Sequence, residues 1–368
     1  MTDHATVRGW SPMMGEVLRT GRMPPWQADP AFGRFADDLG LPDAERATLL
    51  RWIEAGAPRG DGPDPLAEHP AVPVPEWPLG PPDLVVEASE RRLPAAGVIP
   101  YLYERVEIPL DREAWVRAVD LRPSNPAVMH HALVWIDYPD GEHAPRTEGP
   151  RFTRGMLAGY VPGRRMRPFP AGTGYRLPAG SKLYFQLHYT ATGRPETDRP
   201  RLGLYFADGP LEHELRTGAA ANFEFEIPPH AADHQETAIE VLDHDVVLYR
   251  MTPHMHYRGK RMRIDARFPD GRVETLLSVP RYDFNWQHQY VFDPPRRLPK
   301  GTAIEVTAGF DNSARNPANP DPDVAVSYGE QSYEEMLFGY FLYRDDDGSD
   351  PTRVAGPGAS MAPPPDRP

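Results

Sequence analysis

The chain has 368 residues, a formal net charge of −13, 40% hydrophobic residues and no cysteine. That length supports two or three domains with their own cores, and the acidic balance argues against a nucleic-acid partner, which recruits basic surfaces. The missing thiols exclude disulfides, thiolate zinc sites, iron–sulfur clusters, blue-copper sites and cysteine nucleophiles, so any metal must be held by His, Met, Asp or Glu.

The first 65 residues read as a small helical segment. A short helix is predicted over Trp10–Thr20. A second begins at Leu41-Pro42-Asp43-Ala44-Glu45-Arg46, with Asp43 as the expected N-cap, Leu49, Leu50, Trp52 and Ile53 as the apolar face and Gly56 as the stop. Between them, Met23-Pro24-Pro25-Trp26 makes a rigid loop. Residues 66–82 are proline-rich and read as a linker. The N-terminus, Met1-Thr2-Asp3-His4-Ala5, shows no basic n-region and no apolar h-region. No stretch reaches the ~18 apolar residues of a membrane-spanning helix.

From about residue 83 the pattern changes to short strands. The 46 prolines disfavour long helices. Strands are predicted over 98–108, 115–122, 131–138, 182–189 and 201–206, then 222–227, 239–253, 261–268, 273–279, 289–292, 303–310 and 336–343. Asp140-Gly141 and Asp270-Gly271 are turn signals. The expected fold is mainly β: two tandem jelly-roll-like antiparallel β-sandwiches preceded by a small helical segment. The sandwiches are placed at 83–212 and 213–346, with the break near 209–219, and the tail 347–368 is expected to be disordered.

Six residues carry the chemistry. His254 and His256 are two apart in a strand-like run, so both side chains leave one face and can chelate one ion. His130 and His131 are adjacent; on a regular strand they point to opposite faces, so a shared metal needs a bulge, a strand end or unlike ring nitrogens. His188 alternates with Phe185 and Leu187 and shares a face with Gln186. Met336 taken alone is a core methionine. His230, His234 and His244 read as loop or surface residues.

Taken together, Met129-His130-His131-Ala132, Gln186-Leu187-His188-Tyr189, His254-Met255-His256-Tyr257-Arg258-Gly259 and Glu335-Met336 resemble, in order and spacing, the copper type II, ascorbate-dependent monooxygenase family, whose members include peptidylglycine α-hydroxylating and dopamine β-monooxygenases. The resemblance covers about residues 83–345. It implies an electron-transfer copper on His130, His131 and His188 and an oxygen-binding, catalytic copper on His254, His256 and Met336, facing each other across an open, water-filled cleft. It implies hydroxylation of a substrate C–H bond with O2, with ascorbate, another one-electron reductant or a cytochrome as electron donor. The ligand types agree with this independently: imidazole suits copper, and a thioether favours Cu(I). A zinc hydrolase is disfavoured because Met is a poor zinc ligand. A copper-binding or electron-transfer protein without hydroxylase activity is the alternative.

Asp283-Phe284-Asn285-Trp286-Gln287, Asp311-Asn312-Ser313 and Asn316-Pro317-Ala318-Asn319-Pro320-Asp321-Pro322 resemble runs of bacterial relatives of the family and are read as turns and core. Gln186 and His288 are expected to support the metal ligands. Tyr340 keeps the family's substrate-binding tyrosine, four residues after the methionine. The family's peptide-amidating members place arginine where Thr252 stands and asparagine where Phe338 stands. The expected substrate is therefore a small molecule more apolar or neutral than a glycine-extended peptide.

The N-terminal runs Arg22-Met23-Pro24-Pro25-Trp26, Asp29-Pro30 and Trp52-Ile53-Glu54-Ala55-Gly56-Ala57-Pro58 resemble the C-terminal part of a cytochrome c domain. Without Cys-x-x-Cys-His there is no covalent haem. The segment reads as a haem-free remnant or as the end of a longer domain. The family's setting is periplasmic or secreted; with no signal peptide visible, a cytoplasmic location stays open.

Overall fold

The computed structural model describes residues 3–36, 38–64, 66, 75–142, 144–162 and 167–349. The chain forms two compact units, 1–28 with 37–80 and 29–36 with 81–368. Most of the linker expected at 66–82 and of the tail expected at 347–368 lies outside the described residues.

In the first unit, helix α1 spans His4–Thr20 and helix α2 spans Asp43–Glu54. Asp3 caps α1 by accepting the Thr6 N–H at 2.8 Å, and Gly21 closes it in the left-handed region at φ 68°. Gly15 faces the second helix: a Cβ there would meet Ile53 Cγ2 at 3.4 Å, an ordinary contact distance. Asp43 does not cap α2. Pro42 occupies that position, and Asp43 is the first helical residue, where its charge still favours the helix N-terminus.

The second unit is mainly β. Segment 29–36, which the sequence pattern groups with the helices, belongs to it. The Asp29 N–H donates to Ser278 O at 2.8 Å, the Ala36 N–H to Val291 O at 2.8 Å, and the Phe35 ring packs on Phe292 and Tyr290.

The strands form antiparallel sheets stacked as sandwiches. Within 84–214, one sheet runs Leu84–Glu87, Arg201–Phe206, Ala114–Arg122, Thr173–Leu177, His213–Glu214, and only its last pair is parallel. The facing sheet runs Leu102–Glu107, Lys182–Tyr189, Met129–Asp137, Met156–Tyr160. Within 216–345, one sheet runs Arg216–Asn222, Leu337–Asp345, Val246–His254, Tyr290–Leu298, and the other runs His234–Val241, Ala303–Phe310, Gly259–Arg267, Val273–Val279. The run 239–253, predicted as one strand, is two, separated by a turn at 242–245.

The sheet containing Val246–His254 is covered on both faces. On its inner face, a Cβ at Gly339 would meet Val306 Cγ2 of the opposite sheet at 2.6 Å, so a larger residue there would force that packing to shift. Its outer face turns to the other sandwich: Val247, Tyr249 and Leu342 join one apolar cluster with Val116, Val134 and Leu157. Burying this strand on both sides explains its near-continuous apolar sequence, and places its polar residues at the junction of the sandwiches.

Candidate metal centre

The strand Met129–Asp137 pairs with Lys182–Tyr189, and the register slips between Met129 and His131. This bulge is what the adjacent histidines required. One unpaired residue cancels the alternation and lets both rings turn to one side. His130 Nδ1 lies 3.1 Å from His131 Nδ1, which lies 3.4 Å from His188 Nδ1, and the three donor atoms fall within 4.8 Å of one another. In both of these contacts the rings meet through Nδ1. Such spacing suits donors at about 2.0 Å from one first-row ion. Tyr101 stacks on His188 at 4.4 Å and donates its hydroxyl to Glu330 O at 2.7 Å, fixing that wall of the site.

Burial keeps these imidazoles neutral, with lone pairs free for a cation. Burial, aided by the charges of His188 and His254, pulls His130 down to about 3. Burial likewise pulls His188 down to about 4 and His131 well below its ordinary value.

His254 is the last residue of its strand, and His256 lies just beyond it, buried in a loop. The two rings still converge, with centroids 5.2 Å apart and planes at 89°. Their tautomers are set by acceptors. His256 Nδ1 is 3.2 Å from the Glu334 carbonyl, which can only accept. His254 Nδ1 is 2.7 Å from Gln287 Oε1, and the Gln287 amide nitrogen is committed to Phe284 O at 3.2 Å. Both rings therefore carry the proton on Nδ1 and present the Nε2 lone pair. Burial pulls His254 down to about 4, against the opposing bond from Gln287.

Met336 joins this set through Glu335. The fully buried Glu335 carboxylate accepts the backbone N–H groups of His256 at 2.8 Å, Arg258 at 2.6 Å and Met336 at 3.3 Å, tying the His254–His256 loop to the methionine segment. Burial pushes Glu335 up to about 8 despite these donors and the nearby Arg258 charge. Arg258 Nε in turn donates to buried Asn312 Oδ1 at 2.8 Å, and Asn316 Nδ2 donates to Tyr257 O at 3.1 Å. The Asn/Pro run thus builds the turn that steadies the loop.

The two sets do not face an open cleft. Phe284 stacks on His130, centroids 4.6 Å apart, and meets His256 edge-on at 5.9 Å. Beside this contact lies a cavity of about 270 Å³, lined by His131, His254, Met336, Phe338, Tyr340 and Arg250 among others. Tyr340 pairs across the sheet with Thr252, and Phe338 with His254, placing both aromatic rings at the cavity.

Two supporting roles come out differently. Gln186 lines the cavity but donates to Tyr103 OH at 3.1 Å and forms no described hydrogen bond with the histidines. His288 stacks with Trp286, planes at 6°, and its described ring contacts are with Trp286 and Tyr290 rather than either ligand set. Gln287, one residue earlier, takes the role expected of His288. The chain pattern gives no signal for Tyr101 or Arg250, and Phe284 stands in a run that reads as turn and core, because each reaches the site through distant packing.

His244 lies in the turn at 242–245, in keeping with a loop residue, and makes ion pairs there. Its Nδ1 lies 2.9 Å from Glu148 Oε1 and 2.5 Å from Asp243 Oδ1, and its Nε2 lies 2.8 Å from Asp345 Oδ1. Arg146 pairs with Asp243 and Arg216 with Asp345, so cations already balance this cluster.

No helix of the described residues is long and apolar enough to cross a membrane. No family profile and no curated protein matches the chain. Among solved structures, PNGF-II is 10% identical with a TM-score of 0.28, covering 73% of this chain and 65% of that one. Allantoicase is 11% identical with a TM-score of 0.20, covering 58% and 76%. The chain thus spans just under two thirds of the PNGF-II length, and likeness at these scores bears on neither fold nor function.

Proposed function

We propose that this chain is a copper-dependent monooxygenase that hydroxylates a substrate C–H bond with O2 and an external one-electron reductant. The observation that carries the reading is the meeting of two unlike donor sets at one largely apolar cavity. His130, His131 and His188 would hold one copper, and His254, His256 and Met336 the other. Copper supplies one-electron cycling and, at the thioether-containing set, activation of O2.

The chain's own groups prepare that chemistry. Gln287 and the Glu334 carbonyl fix which ring nitrogen of His254 and His256 is free. Glu335 holds the methionine segment against the histidine loop. Phe338, Tyr340 and Phe152 wall the cavity and exclude water from the reacting C–H bond. Phe284, in contact with both sets, shortens the distance an electron must cross. That same contact favours a second reading, a copper electron-transfer protein without hydroxylation.

The test is metal analysis of the reconstituted chain followed by oxygen uptake with ascorbate. Two coppers per chain and reductant-dependent uptake support the monooxygenase. Two coppers without uptake under any reductant and substrate support electron transfer alone. One zinc and no copper would falsify both.

A further inference from the structure

The strand Val246–His254 presents Arg250, Thr252 and His254 on one face, and all three line the cavity. Their neighbours Met251 and Pro253 are buried on the other face. Arg250 is part-buried, and its guanidinium donates to the neutral Gln289 Oε1 at 2.9 Å. Among the described residues it has no carboxylate partner. Glu330 is the one acidic residue lining the cavity, and it accepts from Tyr103 OH at 3.2 Å. Burial pulls the Arg250 pKa down, opposed only by the Tyr175 hydroxyl and by no carboxylate. An arginine charge removed from water without a counter-ion is costly, and here it lines a cavity whose other polar groups, Glu330 apart, are neutral.

We infer that the cavity takes a small apolar carboxylic acid, its carboxylate on Arg250 and its hydrocarbon body toward His254 and Met336. This rests on the monooxygenase reading only for which end of the acid reacts. Arg250 and His254 are four residues apart, about 13 Å along an extended strand. The cavity, about 270 Å³, suits an aryl- or alkyl-alkanoate and is too small for a folded peptide. Leu133, Phe152, Phe169 and Phe338 supply the apolar wall, while Gln289 and Thr217 stand at the polar end. Thr252 and Phe338 do replace the arginine and asparagine of the peptide-amidating members, but a cation reaches the same face from one strand repeat further back.

The test uses the full metal-free chain and isothermal titration with 3-phenylpropionate against 3-phenylpropionamide. The acid is expected to bind at least tenfold tighter than the amide. R250Q should erase that preference and R250K should keep part of it. Q289E would supply the missing carboxylate beside Arg250, so it should abolish acid binding while the melting temperature stays at or above that of the unmodified chain. Equal binding of acid and amide, no binding of the acid, or a preference that survives Q289E would overturn the inference. Since the measurement needs no copper, its failure leaves the metal analysis untouched, and a copper-free chain that still selects the acid would separate the two claims.

Discussion

The ring of Phe284 lies 20° from parallel with that of His130, at a centroid distance of 4.6 Å, so a residue of the second sandwich rests directly on a candidate ligand of the first. The aromatic contact also reaches Tyr257, at 4.8 Å. Replacing Phe284 by Ala should cost about 3 kcal/mol in urea unfolding, as expected for an aromatic side chain removed from a packed position. A loss under about 0.5 kcal/mol would mean that the two sandwiches do not rely on this ring.

Gln287 acts on His254 by holding its proton on Nδ1. Gln287→Leu keeps the bulk and removes the acceptor. Copper affinity of the His254/His256/Met336 set should fall roughly 10–100-fold in a chelator competition, while the His130/His131/His188 set is unchanged. An equal fall at both sets would show that the change acts on folding rather than on the tautomer.

Met336 separates the two sets chemically. Met336→Ile retains an apolar side chain of similar volume but no sulfur donor. Oxygen uptake should be lost, with the three-histidine set still binding one copper by metal analysis. Persistent uptake with reductant would refute the assignment of the oxygen site.

The Glu148 cluster predicts a pH response distant from the metal sets. Burial and the Asp243 carboxylate push Glu148 up to about 7, while Glu148 and His244 hold Asp243 down to about 2. A carboxyl whose pKa is raised on folding binds its proton more tightly in the native state, so stability falls as pH rises from about 4.5 to about 7. Asp243 acts in the opposite sense, and only below its ordinary value of 3.8. Glu148 therefore contributes a decline of about 3 kcal/mol between those limits, set against the rise with pH that buried His130, His188 and His254 give below their ordinary value of 6.5. Glu148→Gln should thus make stability, followed as melting temperature, climb more steeply from pH 4.5 to about 7 than in the unmodified chain. An unchanged slope in that variant would show that the response originates elsewhere.

Much of the fold is legible where alternation is clean. The strands at Lys182–Tyr189, Arg201–Phe206 and Ala303–Phe310 match their predicted bounds because apolar and polar residues alternate along them, and Val273–Val279 matches although Leu276 and Leu277 are adjacent and both buried. Met156–Tyr160 and Thr173–Leu177 escape the pattern because each is five residues long and contains glycine. The turn at 242–245 is missed because it uses Asp243-His244-Asp245, with neither Gly nor Pro to mark it. The three-histidine cluster is legible only as a set of residue types. The slip that joins His130 to His131 is a property of pairing with a strand fifty residues away. Arg250 is invisible for a related reason: an arginine in a strand reads as solvent-facing until the second sheet covers it.

The bulge at His130 makes the donor pair a matter of parity. Along a strand, odd and even positions serve opposite faces, and a one-residue deletion inverts everything on one side of the cut. By carrying one residue out of count, the sheet lets two consecutive codons address the same ion. A chain shortened by either histidine would pair its strands more regularly, and its Ala132-to-Asp137 core would be undisturbed. Natural variation at this position should therefore separate folding from chemistry: shortened forms would persist as sound scaffolds that no longer bind metal at the first set.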